Sequence, residues 1–429
     1  MSFWPTQNAS DTGHPKEPLV TRLFLLVQGA TFAYFLAIGA LIPVLPRFTK
    51  GPLGGGDVAV GLSIGSFALS AVLLRPLVGR ISDRRGRRVL MVAGAGAVAM
   101  STAFYLLATS LPILLMLRII SGAGEAGFYV GAATVINDIA PDERRGEALS
   151  FFSLALFAGI AVGPALGELV LGSGGFGAVW VVSALASGLA AVLGTRVSDT
   201  RPPIDPDAKP PPLIHPAGLI PGAILGSIIC GLAGFDSFVP LYALQLGLSG
   251  SGAIFLLFSG IVLSIRSVGA RLPDRLGHHN VARVGLVSTA AGLVLISAWE
   301  TTAGLFAGTA IFAVGHALSF PALMSLAVGS APAAERGAVI GTFTAWFDLA
   351  FGSGAIGLGI VASAFGYRGS FASAGIIAAA GFLLLLFYGR RQAPVASAEE
   401  DLDETPEPLR ASAKYVHRAT FTSVTRRRW

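Results

Sequence analysis

Charge is scarce in this chain: 13% of its 429 residues are Asp, Glu, Lys or Arg, against 53% apolar residues and a mean hydropathy of +0.71. So little polarity cannot solvate a globular surface in water, which excludes an ordinary soluble domain and leaves lipid as the solvent. Cysteine is scarcer still. Cys230 stands alone, so no intramolecular disulfide can form, and its apolar surroundings in sequence read as a small buried hydrophobe. Also missing are a Walker-type phosphate loop, a nucleophile triad and any cluster with metal-ligand spacing. His278 and His279 are adjacent, which is a solvated pair rather than a metal site. The expectation is a protein that is not an enzyme, binds no metal and needs no cofactor.

Long apolar runs and glycine are plentiful. The 55 glycines would weaken helices in water, but in lipid small residues let helix backbones approach closely. Twelve runs are long enough to cross ~30 Å of hydrocarbon as helices. In the first half they are Arg22 to Pro46, Val58 to Gly79, Val89 to Ala108, Leu111 to Asn137, Ala148 to Leu171 and Val179 to Arg196. In the second they are Gly218 to Leu246, Ser251 to Arg271, Val281 to Trp299, Thr302 to Val328, Val339 to Ala364 and Ser370 to Tyr388. The chain also repeats itself. Gly79 to Arg88 returns as Ala270 to Gly277, with Asp83 matching Asp274 at an offset of 191 residues. The same offset carries Arg75 onto Arg266 and the Pro141 to Gly146 loop onto Pro332 to Gly337. The fold class is therefore an all-α membrane protein with twelve transmembrane helices in two six-helix halves related by a pseudo-twofold axis.

Five segments follow: a tail at 1–21, a first half at 22–196, a proline-rich linker at 197–216, a second half at 217–389 and a charged tail at 390–429. Pro202, Pro203, Pro206 and Pro210 to Pro212 stiffen the linker and cannot continue a helix. The last tail is acidic, then basic, without apolar periodicity, and reads as disordered. Arginines crowd the loops after the even-numbered runs, which places those loops and both termini in the cytoplasm. The net charge of +6 is mostly this asymmetry, so the basic balance argues for membrane topology and not for nucleic acid. The polar Met1 to Pro18 segment precedes an apolar run too long for the h-region of a cleavable signal peptide.

The string Gly79 to Arg88 resembles the loop signature of the major facilitator superfamily, with Gly79, Asp83, Arg84, Gly86 and Arg87 in its conserved places and Asp274 and Arg275 in the second copy. Physically, Gly79 and Gly86 permit close approach and a tight turn, and Asp83 can accept hydrogen bonds from arginines or helix ends. The resemblance implies a loop that latches the cytoplasmic helix ends in one conformation; a plain topology determinant is the other reading. In the fifth run Gly159, Gly163, Pro164 and Gly167 resemble the superfamily's exporter signature, and Glu168 stands where a second glycine is usual. Glycines four apart also clear a helix face for packing, and proline allows a bend.

Ionisable residues deep in the apolar runs are candidates for function, because charge is costly there. Glu125 lies mid-run, and Arg118, two helical turns earlier on the same face, is its expected partner, either as a proton switch or as a static ion pair. The offset of 191 sets His316 opposite Glu125. Asp348 is the foremost candidate, with Phe343, Trp346, Phe347 and Phe351 around it, and Asp236 lies nearer the outer end of the seventh run. Gln28 and Tyr34 of the first run would add amide and aromatic lining. Within the apolar runs that would form its cavity, the second half offers no basic residue beyond His316 and the membrane-edge Arg266.

The resemblance implies alternating access around a midplane site, powered by the proton gradient. The expected function is proton-driven efflux, by antiport, of a small lipophilic or cationic drug or metabolite, as in multidrug resistance. Two alternatives are a proton symporter importing a sugar or organic acid, and a lipid-handling or non-transporting sensor. The expected partners are a small-molecule substrate, protons and membrane lipids, with no nucleic acid. The expected setting is a bacterial inner membrane, as a monomer.

Overall fold

A computed structural model describes residues 19–141, 144–200, 214–268, 275–332 and 335–403, and gives the backbone alone at 79, 80, 82–84, 268 and 391–403. The first tail up to residue 18, the linker interior 201–213, Asp274 and the charged tail beyond 403 lie outside the described residues.

Every described element is a helix, because a backbone in hydrocarbon must satisfy its own hydrogen bonds. The first half holds α1 (Arg22–Leu41), α2 (Val44–Lys50), α3 (Asp57–Arg85), α4 (Arg87–Ala103), α5 (Leu111–Ile139) and α6 (Arg145–Thr195). The second holds α7 (Pro216–Gln245), α8 (Gly252–Val268), α9 (His278–Ala298), α10 (Thr302–Gly329) and α11 (Arg336–Asp403). Among the described residues nine helices are long and apolar enough to cross a membrane; eleven of the predicted runs fall on them, and the eighth, Ser251 to Arg271, falls on a shorter apolar helix at Gly252–Ser267 and ends outside the described residues.

Local chemistry explains the boundaries. Thr21 and Thr301 cap α1 and α10 by accepting the N–H of Phe24 and Gly304, each at 3.1 Å. Pro43 interrupts the first run, yet the chain resumes as α2 and carries the apolar span on to Lys50, past the predicted end at Pro46. The double-length helices α6 and α11 turn at Gly175 (φ 71°) and Gly366 (φ 69°), positions 191 residues apart. Gly86 (φ 97°) and Gly277 (φ 82°), at the same offset, open α4 and α9. The repeat is thus written into the backbone at positions that only glycine tolerates. Gly79, expected in a turn, lies within α3 instead.

The halves meet along two seams, α3 against α11 and α6 against α8. Under the twofold these are one interface used twice, since α3 corresponds to α8 and the first arm of α6 to that of α11. Outward faces carry large apolar side chains open to the surroundings, such as Leu73 (76% exposed) and Phe365 (75%), as a lipid-facing wall requires. Within the first half α6 lies directly on α1. A Cβ on Gly163 would sit 2.6 Å from the Cα of Gly39, with backbone on both sides. Gly163→Val is therefore expected to separate these helices at a cost of about 1–3 kcal/mol. A lowered unfolding midpoint of the purified protein in detergent would register it; an unchanged midpoint would contradict the packing.

Candidate functional site

A cavity of about 210 Å³ lies between the halves, bounded by α1, α3, α5 and α6 on one side and α7, α8, α10 and α11 on the other. Its wall is mostly apolar and aromatic, including Phe67, Phe157, Phe258 and Phe347. Five ionisable groups break that wall: Arg118 and Glu125 on α5, Asp236 on α7, His316 on α10 and Asp348 on α11.

The group that joins them is Arg75 of α3, which sequence reasoning did not single out. Its guanidinium pairs with Asp348 across the seam, lies 3.8 Å from Glu125 Oε1 in its own half and sits 5.3 Å from the Tyr129 ring. One cation thus serves two carboxylates, one from each half. The apolar run that ends at Gly79 makes Arg75 look like a membrane-edge arginine. Because α3 continues to Arg85, it stands ten residues from the helix end and in the interior. An arginine inside an apolar run was the signal that could have found it.

The expected pairing of Arg118 with Glu125 does not occur. Seven residues correspond to about 10 Å of helix rise, and both side chains tilt toward the same helix end, so the gap does not close. Arg118 reaches α3 instead: its Nε donates to the Ser63 carbonyl at 2.7 Å, and its guanidinium lies 4.4 Å from the Phe67 ring. His316 is buried beside Phe258 and Phe312, at 5.5 and 6.3 Å, with no hydrogen bond to Nδ1. Asp236 is buried against the cavity and has no ion pair or hydrogen bond among the described residues.

Gln28 and Tyr34, expected in the lining, are placed elsewhere. Gln28 faces the backbone of Phe151 and Phe152, with its amide oriented to hydrogen-bond both. Tyr34 is fully buried and stacked on Phe128 at 4.0 Å. Both project away from the α1 face that lines the cavity, which carries Phe35, Ile38 and Leu41.

At the Gly175 end of the bundle the halves are tied together by Glu168. It accepts from Arg47 Nη1 at 2.8 Å in its own half, and from the N–H and hydroxyl of Ser251 across the seam at 2.8 and 2.7 Å. Ser251 immediately precedes α8, so the carboxylate also meets the positive end of that helix. Lys50 of α2 pairs with Asp57 and lies 5.4 Å from the ring of Tyr367 in the second half, adding a contact at the same end. Losing hydrogen bonds to a charged acceptor costs about 1–3 kcal/mol. Glu168→Ala should accordingly raise the labelling rate of a cysteine placed in the cavity (Phe258→Cys in a Cys230→Ser background) by roughly 5- to 100-fold, with an impermeant maleimide added from that end. An unchanged rate would mean that Glu168 does not hold this end closed.

Buried charges on a seam between two repeated helical halves are the architecture of a secondary transporter, and the comparisons agree. The family description of the Major Facilitator Superfamily matches residues 29–296 and 268–429. The chain belongs to this superfamily. It is 31% identical over 419 residues to an uncharacterized MFS-type transporter of Pseudomonas aeruginosa, covering 90% of this chain and 97% of that one. A similar transporter of Salmonella typhimurium is 27% identical over 374 residues, covering 84% and 95%. Among solved structures, a bacterial homolog of the human lysosomal transporter Spinster, inward-facing and occupied, superposes with a TM-score of 0.74 at 16% identity over 86% and 96% of the two chains. The human organic anion transporter MFSD10 gives 0.66 at 19% identity, over 85% and 99%. The protein is thus a multi-pass membrane transporter of the major facilitator fold, acting on small molecules; it is not an enzyme and needs no cofactor.

The superfamily's motifs can now be located. Gly159, Gly163 and Gly167 face α1 and serve helix packing, while Pro164 lines the cavity. In the loop signature Arg87 pairs with Asp138 and its N–H donates to Asp199 at 3.1 Å, while Thr200 donates to Asp138 at 2.6 Å. These bonds join α4, α5 and the end of α6 within one half. The side chains of Asp83 and Arg84 are not among those described, and Arg275 is exposed. Among the described residues no group of three or more His, Cys, Asp or Glu could hold a metal ion.

Proposed function

We propose that this protein is a proton-driven exporter of small lipophilic or cationic compounds, drugs or metabolites, working by alternating access as a monomer in a bacterial inner membrane with both termini in the cytoplasm. The observation that carries this reading is Arg75, held between Asp348 of the opposite half and Glu125 of its own. A proton arriving on Asp348 removes the charge that binds Arg75 across the seam. The guanidinium then has Glu125 as its remaining partner and the halves can part, so protonation and rocking become one event. The aromatic wall suits a lipophilic body, and Asp236, free of a protein cation among the described residues, suits a positively charged group. Export is supported by the Gly163–Pro164 motif, and the orientation by the arginine-rich loops at the Gly86 end.

The test is uptake of a panel of lipophilic cations and neutral drugs into inverted vesicles under an imposed pH gradient, comparing wild type with Asp348→Asn. Gradient-dependent uptake that disappears in the variant supports antiport through this carboxyl. Gradient-driven uptake only in right-side-out vesicles would replace export with symport. One observation favours that second reading for an organic acid: Arg266, expected at the membrane edge, is packed inside the seam against the rings of Phe157 and Phe320.

A further inference from the structure

The repeat allows each charged residue of one half to be compared with its counterpart in the other. Arg75 corresponds to Arg266, Glu125 to His316, Tyr129 to Phe320 and Phe157 to Asp348, all at the offset of 191 residues. The geometry is conserved across this exchange. Arg75 lies against Tyr129 of its own half and reaches across the seam to Asp348. Arg266 lies 5.8 Å from the ring of Phe320 in its own half and reaches across the other seam to Phe157, 3.8 Å from the ring. The chemistry is not conserved. Where Arg75 meets two carboxylates, Arg266 meets phenyl rings, the residue at the position of Glu125 is His316, and Arg266 has no acid partner among the described residues.

A guanidinium buried in a membrane protein without a carboxylate is a costly group, because ring faces replace only part of its lost hydration. Its Nε is buried and makes no hydrogen bond. It is also placed beside the transport cavity. Ser259, Val262 and Leu263 line that cavity from α8, and Arg266 follows them at the spacing of one helix face. Phe157, against the guanidinium, is a cavity-lining residue as well, and so is His316, the counterpart of Glu125.

We propose that Arg266 is an anion subsite of the cavity: it binds the carboxylate of a transported organic acid whose aromatic or apolar body rests against Phe157 and Phe258. The guanidinium offers paired N–H donors that match a carboxylate. The subsite takes the place in the second half that Asp348 and Glu125 occupy around Arg75 in the first. This rests on reading the cavity as the transport site and on the second reading above, an organic acid as substrate, and not on the direction of transport or on proton coupling.

The experiment is calorimetric titration of the purified full chain in detergent with matched aromatic acids and amides: 1-naphthoate against 1-naphthamide, and 4-biphenylcarboxylate against its carboxamide. The expected result is acids bound at least tenfold more tightly than amides by wild type, a preference reduced to less than twofold in Arg266→Gln and partly kept in Arg266→Lys. Amide binding should be equal in all three proteins, which controls for folding. The titration is made without a pH gradient, so loss of proton coupling and loss of the anion subsite are separable. Equal binding of acid and amide by wild type, no binding of either up to millimolar concentration, or a preference that survives Arg266→Gln would each overturn the assignment.

Discussion

Arg75→Gln is expected to lower gradient-driven transport by at least a hundredfold. Arg75 pairs with Asp348 and lies 3.8 Å from Glu125, so its removal leaves two carboxyl groups in the protein interior without a cation. Breaking a buried ion pair by deleting one partner costs about 3–5 kcal/mol, unless the orphaned acids take up protons and become neutral. Either outcome removes the switch: protonated acids cannot respond to the gradient, and charged ones destabilise the closed seam. The initial rate of uptake into vesicles measures the effect. A double variant separates folding from coupling. Adding Asp348→Asn to Arg75→Gln should restore yield and melting behaviour, because one orphaned charge is gone, while transport stays absent. A single Arg75→Gln variant transporting at more than a third of the wild-type rate would show that the shared arginine is structural only.

Asp348→Asn alone should behave differently. The amide preserves the size of the side chain and can still accept a hydrogen bond from Arg75, but it cannot gain or lose a proton. Accumulation against a gradient is expected to fall by about two orders of magnitude, while exchange of labelled for unlabelled substrate across the membrane stays within about tenfold of wild type. Accumulation depends on coupling; exchange depends only on binding and rocking. If accumulation survives in Asp348→Asn and is lost in Glu125→Gln, the proton travels on the first half of the molecule. If exchange is lost along with accumulation, Asp348 is needed for closure of the seam rather than for the proton.

Most of the fold was legible in the linear chain because lipid imposes simple rules. A helix must be long enough to span, its breaks must fall at proline or glycine, and duplicated halves leave duplicated punctuation. Glu125, Asp236, His316 and Asp348 were equally legible, since an ionisable residue in a long apolar run is conspicuous. Two errors came from reading element ends by hydropathy. The last turns of α3 are polar and yet helical, which hid Arg75, and α8 carries Arg266 inside the seam although the apolar run ends close behind it. Gln28 and Tyr34 were assigned to the cavity by residue type, and only the rotation of α1 about its axis turns them toward α5 and α6.

The amino-acid sequence by itself determined that this is a twofold-repeated helical membrane transporter, because hydrophobic length, the 191-residue repeat and the loop signature are properties of the chain read locally. Only the tertiary structure decided which charges meet. Arg75 with Asp348, Glu168 with Ser251 and Arg266 with Phe157 are pairs formed across the seams between the two halves. Such contacts depend on how two helical surfaces dock and rotate against each other, and no local pattern in either half encodes that.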